Sequence, residues 1–595
     1  MSSTHAAGQS SKRSSRAEAA GREVSRFVWR TKYQGGGERS VADSWRRIAG
    51  AVASVERDPA AWEARFLGVM RDFRFLPGGR IQAGAGVDSN AVLFNCFVLP
   101  GPTGSVDASL SALRESVLTL CAGGGIGCDF SAVPPRGQPI AGGPPSPGAA
   151  AFLDLWDGAC RTFLAEAPRR GAMMAALNCA HPDVQAFADA KRVPGALSRF
   201  NLSIAVTDAF MAAVRADRDW ALEFPIGGSG DRAAGSVKAR VLWEQILRSA
   251  YDTGEPGVLF VDRINRANNL WWREQIAVTN PCGEIPLPAH GACDLGSLNL
   301  TRFVVEPFMP QARLDLEALA ESAAVAVRFL DNVIDLSGYP LPEQRQAAQG
   351  SRRIGLGITG LADALVMLGL RYGEPASLDL AAAAMRVIRD AAYRASTVLA
   401  REKGAFPFFD RAPYLQGEFV KRLPTDIREG VAAHGIRNSH LLAIAPTGSI
   451  SLLAGGLSTG LEPIFARIQM RRILGRDGQP RRFRIVDPAL ALWRSLRGDD
   501  AGEPPAFVTA HELSLAAHLD MQAALQPYVD NAISKTVNIA PDLSFEAFRA
   551  VYDEAFDRGL KGCTVFRSTA GADTHPSEGP AAAGCPAEVV CGPGA

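Results

Sequence analysis

Three residues at two-residue spacing, Asn280, Cys282 and Glu284 in TNPCGEIPL, bring an amide, a thiol and a carboxylate into one short segment. In an extended or looped chain, residues two apart project to the same side, so these groups can converge on one small substrate. The carboxylate could move a proton, the amide could orient a hydroxyl, and the sulfur could act as nucleophile or radical carrier. The competing reading is a packing cysteine in a proline-stiffened loop, and the residues alone leave both open. Cys96 in LFNCFVLP and Cys293 in HGACDLGSLNL each stand where a strand meets small or turn residues. Such a pair could cycle between dithiol and disulfide if the fold brings it together. Cys121, Cys128, Cys160, Cys179 and Cys563 have apolar or ambiguous neighbours and read as packing residues.

Cys585 and Cys591, in GCPAEVVCG, have no surrounding core, and two thiols on a mobile arm suit redox delivery. Zinc would need further ligands, and no Cys-x-x-Cys or His-x-x-x-His spacing supplies them. No metal site is therefore expected. In APTGSIS the residues Pro446, Thr447, Gly448, Ser449, Ile450 and Ser451 offer hydroxyls and successive amides that could cradle a phosphate, or merely form a hydroxyl-rich turn. GLGITG (355–360) matches a dinucleotide fingerprint, but GSRR precedes it where a buried strand is required. Its glycines are better assigned to close packing at a helix start.

The elements that must position these groups alternate between strand and helix patterns, which argues for the α/β class. Val41 to Phe73 carries a helical period, FLPGGRIQAGAG and RRGAMM read as loops, and NLSIAV (201–206) as a strand before a helix that Asp208 could cap. Leu316 to Leu336 and Leu378 to Lys403 read as long helices, LLAIAPTGSIS as a strand entering a tight turn, and CTVF (563–566) as a last strand. The 595 residues are 47% hydrophobic, enough for a large core. Lys and Arg (63) against Asp and Glu (62) leave a net charge of +1, so long-range capture of nucleic acid is not expected. Nor is a membrane span: the longest uncharged stretch, Leu441 to Leu461, is broken by Pro446 and several glycines. The N-terminus lacks an apolar secretory core and reads as a flexible leader on a cytoplasmic protein.

Taken in order, FLPGGRIQAGAG, NCFVLP, GGGIGCDFS, RRGAMM, HPDVQAFADAK, FNLSIAVTD, NPCGEIPL, CDLGSLNL, RRIGLGITGLADAL, APTGSISLLAG and GLKGCTVFR resemble the catalytic chain of ribonucleotide reductases across Phe27 to Arg567. The resemblance implies a ten-stranded α/β barrel with a central finger loop. It implies residues 1–24 as leader, 25–74 as a helical N-terminal segment, 75–568 as the barrel, and 569–595 as a flexible redox tail. Cys282 matches the thiyl-radical cysteine, Asn280 and Glu284 the groups that handle the ribose hydroxyls, and Cys96 with Cys293 the pair oxidised as the 2′-hydroxyl leaves. APTGSIS matches the loop on the substrate phosphates. Asp129 and Arg136, with Arg169, Arg170 and Gly171, fall in stretches matching the loops that sense a dNTP or ATP effector. Cys585 and Cys591 match a shuttle reduced by thioredoxin or glutaredoxin, and a homodimer is implied.

The radical source separates the subclasses. The oxygen-dependent subclass relays a radical from a second subunit through two adjacent tyrosines. Here the matching LKGCTVFR has Phe566, and no tyrosine follows Tyr552. The glycyl-radical motif is missing from VVCGPGA. The adenosylcobalamin-dependent subclass remains, and GCTVFR resembles its GCTVYR. Asp-x-His-x-x-Gly is absent, so no histidine of the protein is expected on cobalt. The expected activity is reduction of ribonucleoside diphosphates to 2′-deoxyribonucleotides. The rivals are a catalytic subunit needing a separate radical-generating subunit, and an inactive nucleotide-binding regulator.

Overall fold

In the computed structural model, residues 21–164, 171–225, 233–498 and 500–567 are described. Ten strands form the large sheet. They are β1 (Phe75–Pro77), β2 (Cys96–Leu99), β3 (Gly125–Asp129), β4 (Met173–Asn178), β5 (Phe200–Val206), β6 (Gly257–Phe260), β7 (Ala292–Asn299), β8 (Ile354–Thr359), β9 (Thr536–Ile539) and β10 (Gly562–Arg567). Strands such as CFVL and ACDLGSLN are buried along their whole length, as a sheet covered on both faces requires.

The strands β2 to β6 pair in succession and in parallel. β6 then meets β10 antiparallel, β10 pairs β9 in parallel, β7 pairs β8 in parallel, and β7 returns antiparallel to β2. Between β8 and the approach to β9 lies segment 441–445, bridged in parallel at Leu356–Leu442 and at Ile444–Ile533. Its backbone is fully engaged: Leu356 N donates to Leu441 O (2.8 Å), and Ser534 N donates to Ile444 O (2.9 Å). These bridges join the two ends of the sheet, giving a ring of two parallel halves that run opposite to each other. β1 is an extra antiparallel strand on the upper part of β7.

Helices pack outside the ring. They include α1 (Val41–Ala53), α2 (Pro59–Met70), α3 (Val106–Cys121), α4 (Ala149–Phe163), α5 (Leu316–Leu336), α6 (Pro375–Lys403), α7 (Gly448–Leu453) and α8 (Phe545–Asp557). α5 is apolar over most of its circumference, with Ala326, Val327, Phe329, Leu330 and Val333 fully buried between the barrel and α6. Among the described residues, no helix is long and apolar enough to cross a membrane.

Several local expectations need correction. The pattern from Val41 to Phe73 is two helices, because Asp58 caps a new one whose first residue is Pro59. FLPGGRIQAGAG contains β1 and a short helix, Gly79–Gly84, rather than only loop. Met173 and Met174 of RRGAMM begin β4. Thr207, not Asp208, accepts the capping bond from Phe210 N. Residues 21–24, expected in the leader, are helical, and Val24 is fully buried. Of the glycines of GLGITG, Gly355 and Gly357 lie in β8 itself, where a Cβ at Gly357 would stand 2.2 Å from Ala443 O, while Gly360, at φ +70°, is the N-cap of the helix Leu361–Met367, the helix start that was expected. Cys121, expected to pack, is exposed.

Candidate active site

Between β6 and β7 the chain enters the barrel as a hairpin, Val278–Thr279 pairing antiparallel with Pro286–Leu287. Val278, Ile285 and Leu287 join an interior cluster with Val98, Met174 and Ala205 from the wall strands. The wall is glycine where the finger passes: a Cβ at Gly127 would lie 1.9 Å from Thr279 O, and one at Gly125 would lie 3.2 Å from Pro281 Cγ. Three wall groups hold the finger. Asn201 Nδ2 donates to Pro281 O (2.8 Å), Ala532 N donates to Glu284 O (2.9 Å), and buried Arg353 donates to Pro286 O (3.2 Å).

The tip is a tight loop closed by Asn280. Its Oδ1 accepts from Ile285 N (2.9 Å), its backbone N donates to Ile285 O (3.1 Å), and Gly283 takes φ +86°. Asn280 Nδ2 donates to Cys96 Sγ at 3.1 Å, and Cys96 Sγ lies 3.8 Å from Glu284 Oε1. Cys293 is the direct antiparallel partner of Cys96. Opposed residues in such a pair have Cα atoms roughly 4.5–5.5 Å apart, within disulfide range. The structure thus gathers Asn280, Glu284, Cys96 and Cys293 around one point. Burial pushes the Glu284 carboxyl up to about 7, against hydrogen bonds that pull it down. Its Oε2 is buried with no hydrogen-bond partner among the described residues, leaving an acceptor for an incoming hydroxyl. Burial likewise raises the Cys293 thiol well above its ordinary range.

Cys282 is half-buried and opens on a cleft holding about 770 Å³ of empty space, its mouth included. β10 lines that cleft with Gly562, Cys563 and Thr564, so Cys563 is buried, as expected, yet belongs to the site wall. Lys535 and Lys561 also line it. Lys561 Nζ, held by the carbonyl of Asp530 (2.7 Å) and that of Asn531, is lowered to about 8 by burial. No histidine lines the cleft.

The segment from Pro446 to Ser451 leaves the end of the closing segment and starts α7. Thr447 takes φ +51°, its hydroxyl meeting Thr359 Oγ1 (2.9 Å) and accepting from Gly460 N (3.0 Å). Ser451 Oγ donates to Gly448 O (2.9 Å). Ser449 Oγ lies 2.7 Å from the hydroxyl of Tyr33. Tyr33 was not foreseen, and 416 residues of separation give the sequence no local signal for it. Nor was Arg353, whose guanidinium is fixed by Glu274 at 2.6 Å while it holds the finger.

Asp129 ends β3, and its Oδ1 accepts from Ser131 N (3.0 Å) and Ser131 Oγ (2.6 Å). Arg136 is exposed in the following loop, its backbone N donating to Asp183 Oδ1 (3.2 Å). That loop is stitched to the start of α3 by Val106 N to Ala141 O (3.1 Å). A Cβ at Gly171 would meet Cys160 Sγ at 2.8 Å, so this residue packs against the end of α4. Arg169, Arg170, Cys585 and Cys591 lie outside the described residues.

The family described as "Ribonucleotide reductase, barrel domain" matches residues 94–566. The chain is 38% identical over 557 residues to the vitamin B12-dependent ribonucleoside-diphosphate reductase of Mycobacterium tuberculosis (strain CDC 1551 / Oshkosh), covering 90% of this chain and 77% of that one. It is 33% identical over 526 residues to the protein of the same name from Thermoplasma acidophilum, covering 84% and 65%. It is 28% identical over 529 residues to the ribonucleoside-diphosphate reductase large subunit of Caenorhabditis elegans, covering 78% and 66%. The glycine-walled finger, the opposed cysteines and these matches lead to one conclusion: the chain belongs to the ribonucleotide reductase family.

Proposed function

We infer that this protein is an adenosylcobalamin-dependent reductase that converts ribonucleoside diphosphates to 2′-deoxyribonucleoside diphosphates. The observation that carries the reading is the convergence of Glu284, Asn280, Cys96 and Cys293 at a finger whose half-buried Cys282 lines the adjoining cleft. When bound, the cofactor supplies a 5′-deoxyadenosyl radical able to take the hydrogen atom of a thiol. The cleft beside Cys282 is where such a group would have to approach: it reaches the sulfur, and the buried Oε1 of Gln526 on its wall has no partner among the described residues.

In this reading the Cys282 thiyl removes the 3′-hydrogen of the ribose, and the empty Oε2 of Glu284 takes the 3′-hydroxyl proton. The 2′-hydroxyl leaves as water with a proton from the Cys96–Cys293 pair. The second thiol hydrogen goes to C2′ as the two sulfurs, having given two electrons, become a disulfide; Glu284 returns its proton to the 3′-oxygen, and Cys282 returns the hydrogen to C3′ and regains its thiyl. The barrel contributes position and exclusion of water. The amides opening α7, from Gly448 onward, are assigned to the substrate phosphates. Cys585 and Cys591 are assigned to re-reduction of the disulfide by thioredoxin or glutaredoxin.

The effector loops at Asp129, Arg136 and Arg169 to Gly171 are assigned to a dNTP or ATP. α3 and α4, which pack side by side, are assigned to a homodimer contact. In support, Leu110 and Leu118 on α3 and Leu155 and Phe163 on α4 are 40–64% exposed. The cytoplasm is the proposed location. A route through a second subunit would use a tyrosine relay on the β10 wall of the cleft, where Gly562, Cys563 and Thr564 stand.

The test is turnover of a ribonucleoside diphosphate by the purified chain with a small dithiol, with and without adenosylcobalamin. Deoxynucleotide is expected only with the cofactor. No product in either arm, or equal product in both, overturns the reading.

A further inference from the structure

The motif HPDVQAFADAK (181–191) plays no part in the chemistry above, yet two of its residues grip the loop that follows β3. His181 is fully buried at the turn that leaves β4. Its Nδ1 accepts from Asp183 N (3.0 Å), so the ring proton sits on Nε2, which donates to Val133 O (2.8 Å). Burial lowers the pKa of the ring and keeps it in this neutral form. Asp183 holds the same loop at two further points. Its Oδ1 accepts from Arg136 N (3.2 Å), and its Oδ2 accepts from Ala149 N (3.0 Å), the first residue of α4. A carboxylate facing the amide end of a helix is favourably placed. Gly148 permits this approach: it takes φ +91°, and a Cβ there would stand 2.9 Å from Asp183 Oδ2.

These bonds close the loop at both ends. Inside it, Gly137 N donates to Ser146 O (2.8 Å) and Ser146 N donates to Gln138 O (2.7 Å), so the outgoing and returning chains run side by side. Near its start, Asn178 N, at the end of β4, donates to Ser131 Oγ (2.9 Å). The loop that begins after Asp129 and carries Arg136 is therefore tied, together with the head of α4, to the end of one strand. β4 is also a wall of the site: Met174 lines the Cys282 cleft and packs in the interior cluster with Val278 of the finger.

Resting on the effector assignment above, we propose that His181 and Asp183 are positioning residues for control of base preference: they latch the effector loop, and with it the head of α4, to the end of β4. The shape that a bound nucleotide imposes on the loop is thereby passed to a strand that touches the finger. Neither residue lines the Cys282 cleft, so loss of the latch should spare turnover without effector.

The test uses the full chain with adenosylcobalamin and a small dithiol. The ratio of kcat/KM between pairs of ribonucleoside diphosphates is measured alone and with each dNTP or ATP. In the wild type the best effector should change that ratio by about 5–150-fold, the usual range of coupling between sites. Asp183→Ala and Gly148→Ala should bring the change to within about twofold of none, with effector-free kcat/KM within about twofold of wild type. Asp183→Asn keeps one acceptor of two and should retain part of the response. Asp183 is partly exposed, so its variants should fold, as melting curves would check. Hydrogen exchange of amides 131–149 without nucleotide gives a readout separate from activity, and should quicken about tenfold or more in Asp183→Ala. A full effector response in both alanine variants, or unchanged exchange, overturns the latch and leaves the effector assignment intact. Equal loss of effector-free and effector-driven turnover makes Asp183 a residue of the fold and overturns the latch too. A wild type whose ratio no nucleotide changes overturns the effector assignment, and the role of the latch with it.

Discussion

Glu284 offers a prediction that burial alone makes quantitative. Its carboxyl titrates at about 7 because it is sealed from water, with only Asn280, Cys96 and its own backbone to favour the charged form. If Glu284 must be ionised to take a proton from substrate, the ionised fraction is about 3% at pH 5.5 and about 90% at pH 8. Single-turnover reduction by pre-reduced enzyme, which needs no external thiol, should therefore rise roughly thirtyfold across that range. A carboxylate at its ordinary value of 4.5 would change by only about a tenth. Glu284→Gln should lose roughly 10²–10⁴-fold in rate and flatten the profile. Stability gives a second, independent readout. The folded-state value is raised, so the native protein binds the proton more tightly than the unfolded chain. The wild type therefore loses stability as pH climbs from about 4.5 to about 7, by up to about 3 kcal/mol. Glu284→Gln should match wild type in denaturant midpoint below pH 4.5 and exceed it at pH 8. A flat wild-type rate profile, or a stability gap independent of pH, would refute the reasoning.

Cys282→Ser should bind nucleotide normally and show no deoxynucleotide product, since a serine O–H bond is too strong to give up its hydrogen; native turnover would remove Cys282 from the reaction. Gly127→Ala places a methyl group where Thr279 O now stands, 1.9 Å away. The finger must shift by an ångström or so, and a loss of roughly 10²-fold in kcat is expected from that displacement; unchanged kcat would mean the finger's seat does not set the chemistry. Cys585→Ser combined with Cys591→Ser should stop thioredoxin-driven turnover and spare turnover with a small dithiol. Retained thioredoxin-driven turnover would discard the shuttle.

Much of this architecture was legible in the residues, for identifiable reasons. Strands such as NLSIAV and CTVF are short, mostly apolar and β-branched, and Leu316–Leu336 carries a helical period bounded by its capping Asp315. TNPCGEIPL announced a stiff, chemically mixed loop. What stayed hidden depends on contacts far apart in sequence. GLGITG reads as a helix entrance, and Gly360 is one; the reason for Gly355 and Gly357, the passage of Ala443 across β8, is visible only when the barrel closes. FLPGGRIQAGAG looked like loop because Gly and Pro dominate it, yet β1 and a short helix form there under pairing from β7. Two-residue spacing suggested that Cys282 shares a side with Asn280 and Glu284; what the spacing could not show is that Gly283 turns the tip, that the amide and carboxylate meet Cys96, and that Cys282 lines a cleft.

That turn matters for the function proposed above, because one loop carries Asn280, Cys282 and Glu284, three of the groups the reading needs. With Asn280 closing the tip, its amide is committed twice, by Oδ1 to Ile285 N and by Nδ2 to Cys96 Sγ. The same side chain therefore fixes the loop's shape and the position of the first reducing sulfur. The glycine wall at Gly125 and Gly127 then seats the whole finger against β3, and Asn201, Ala532 and Arg353 hold it from other sides of the ring. Cys282 lines its cleft at this tip, while Asn280, Glu284 and Cys96 meet beside it.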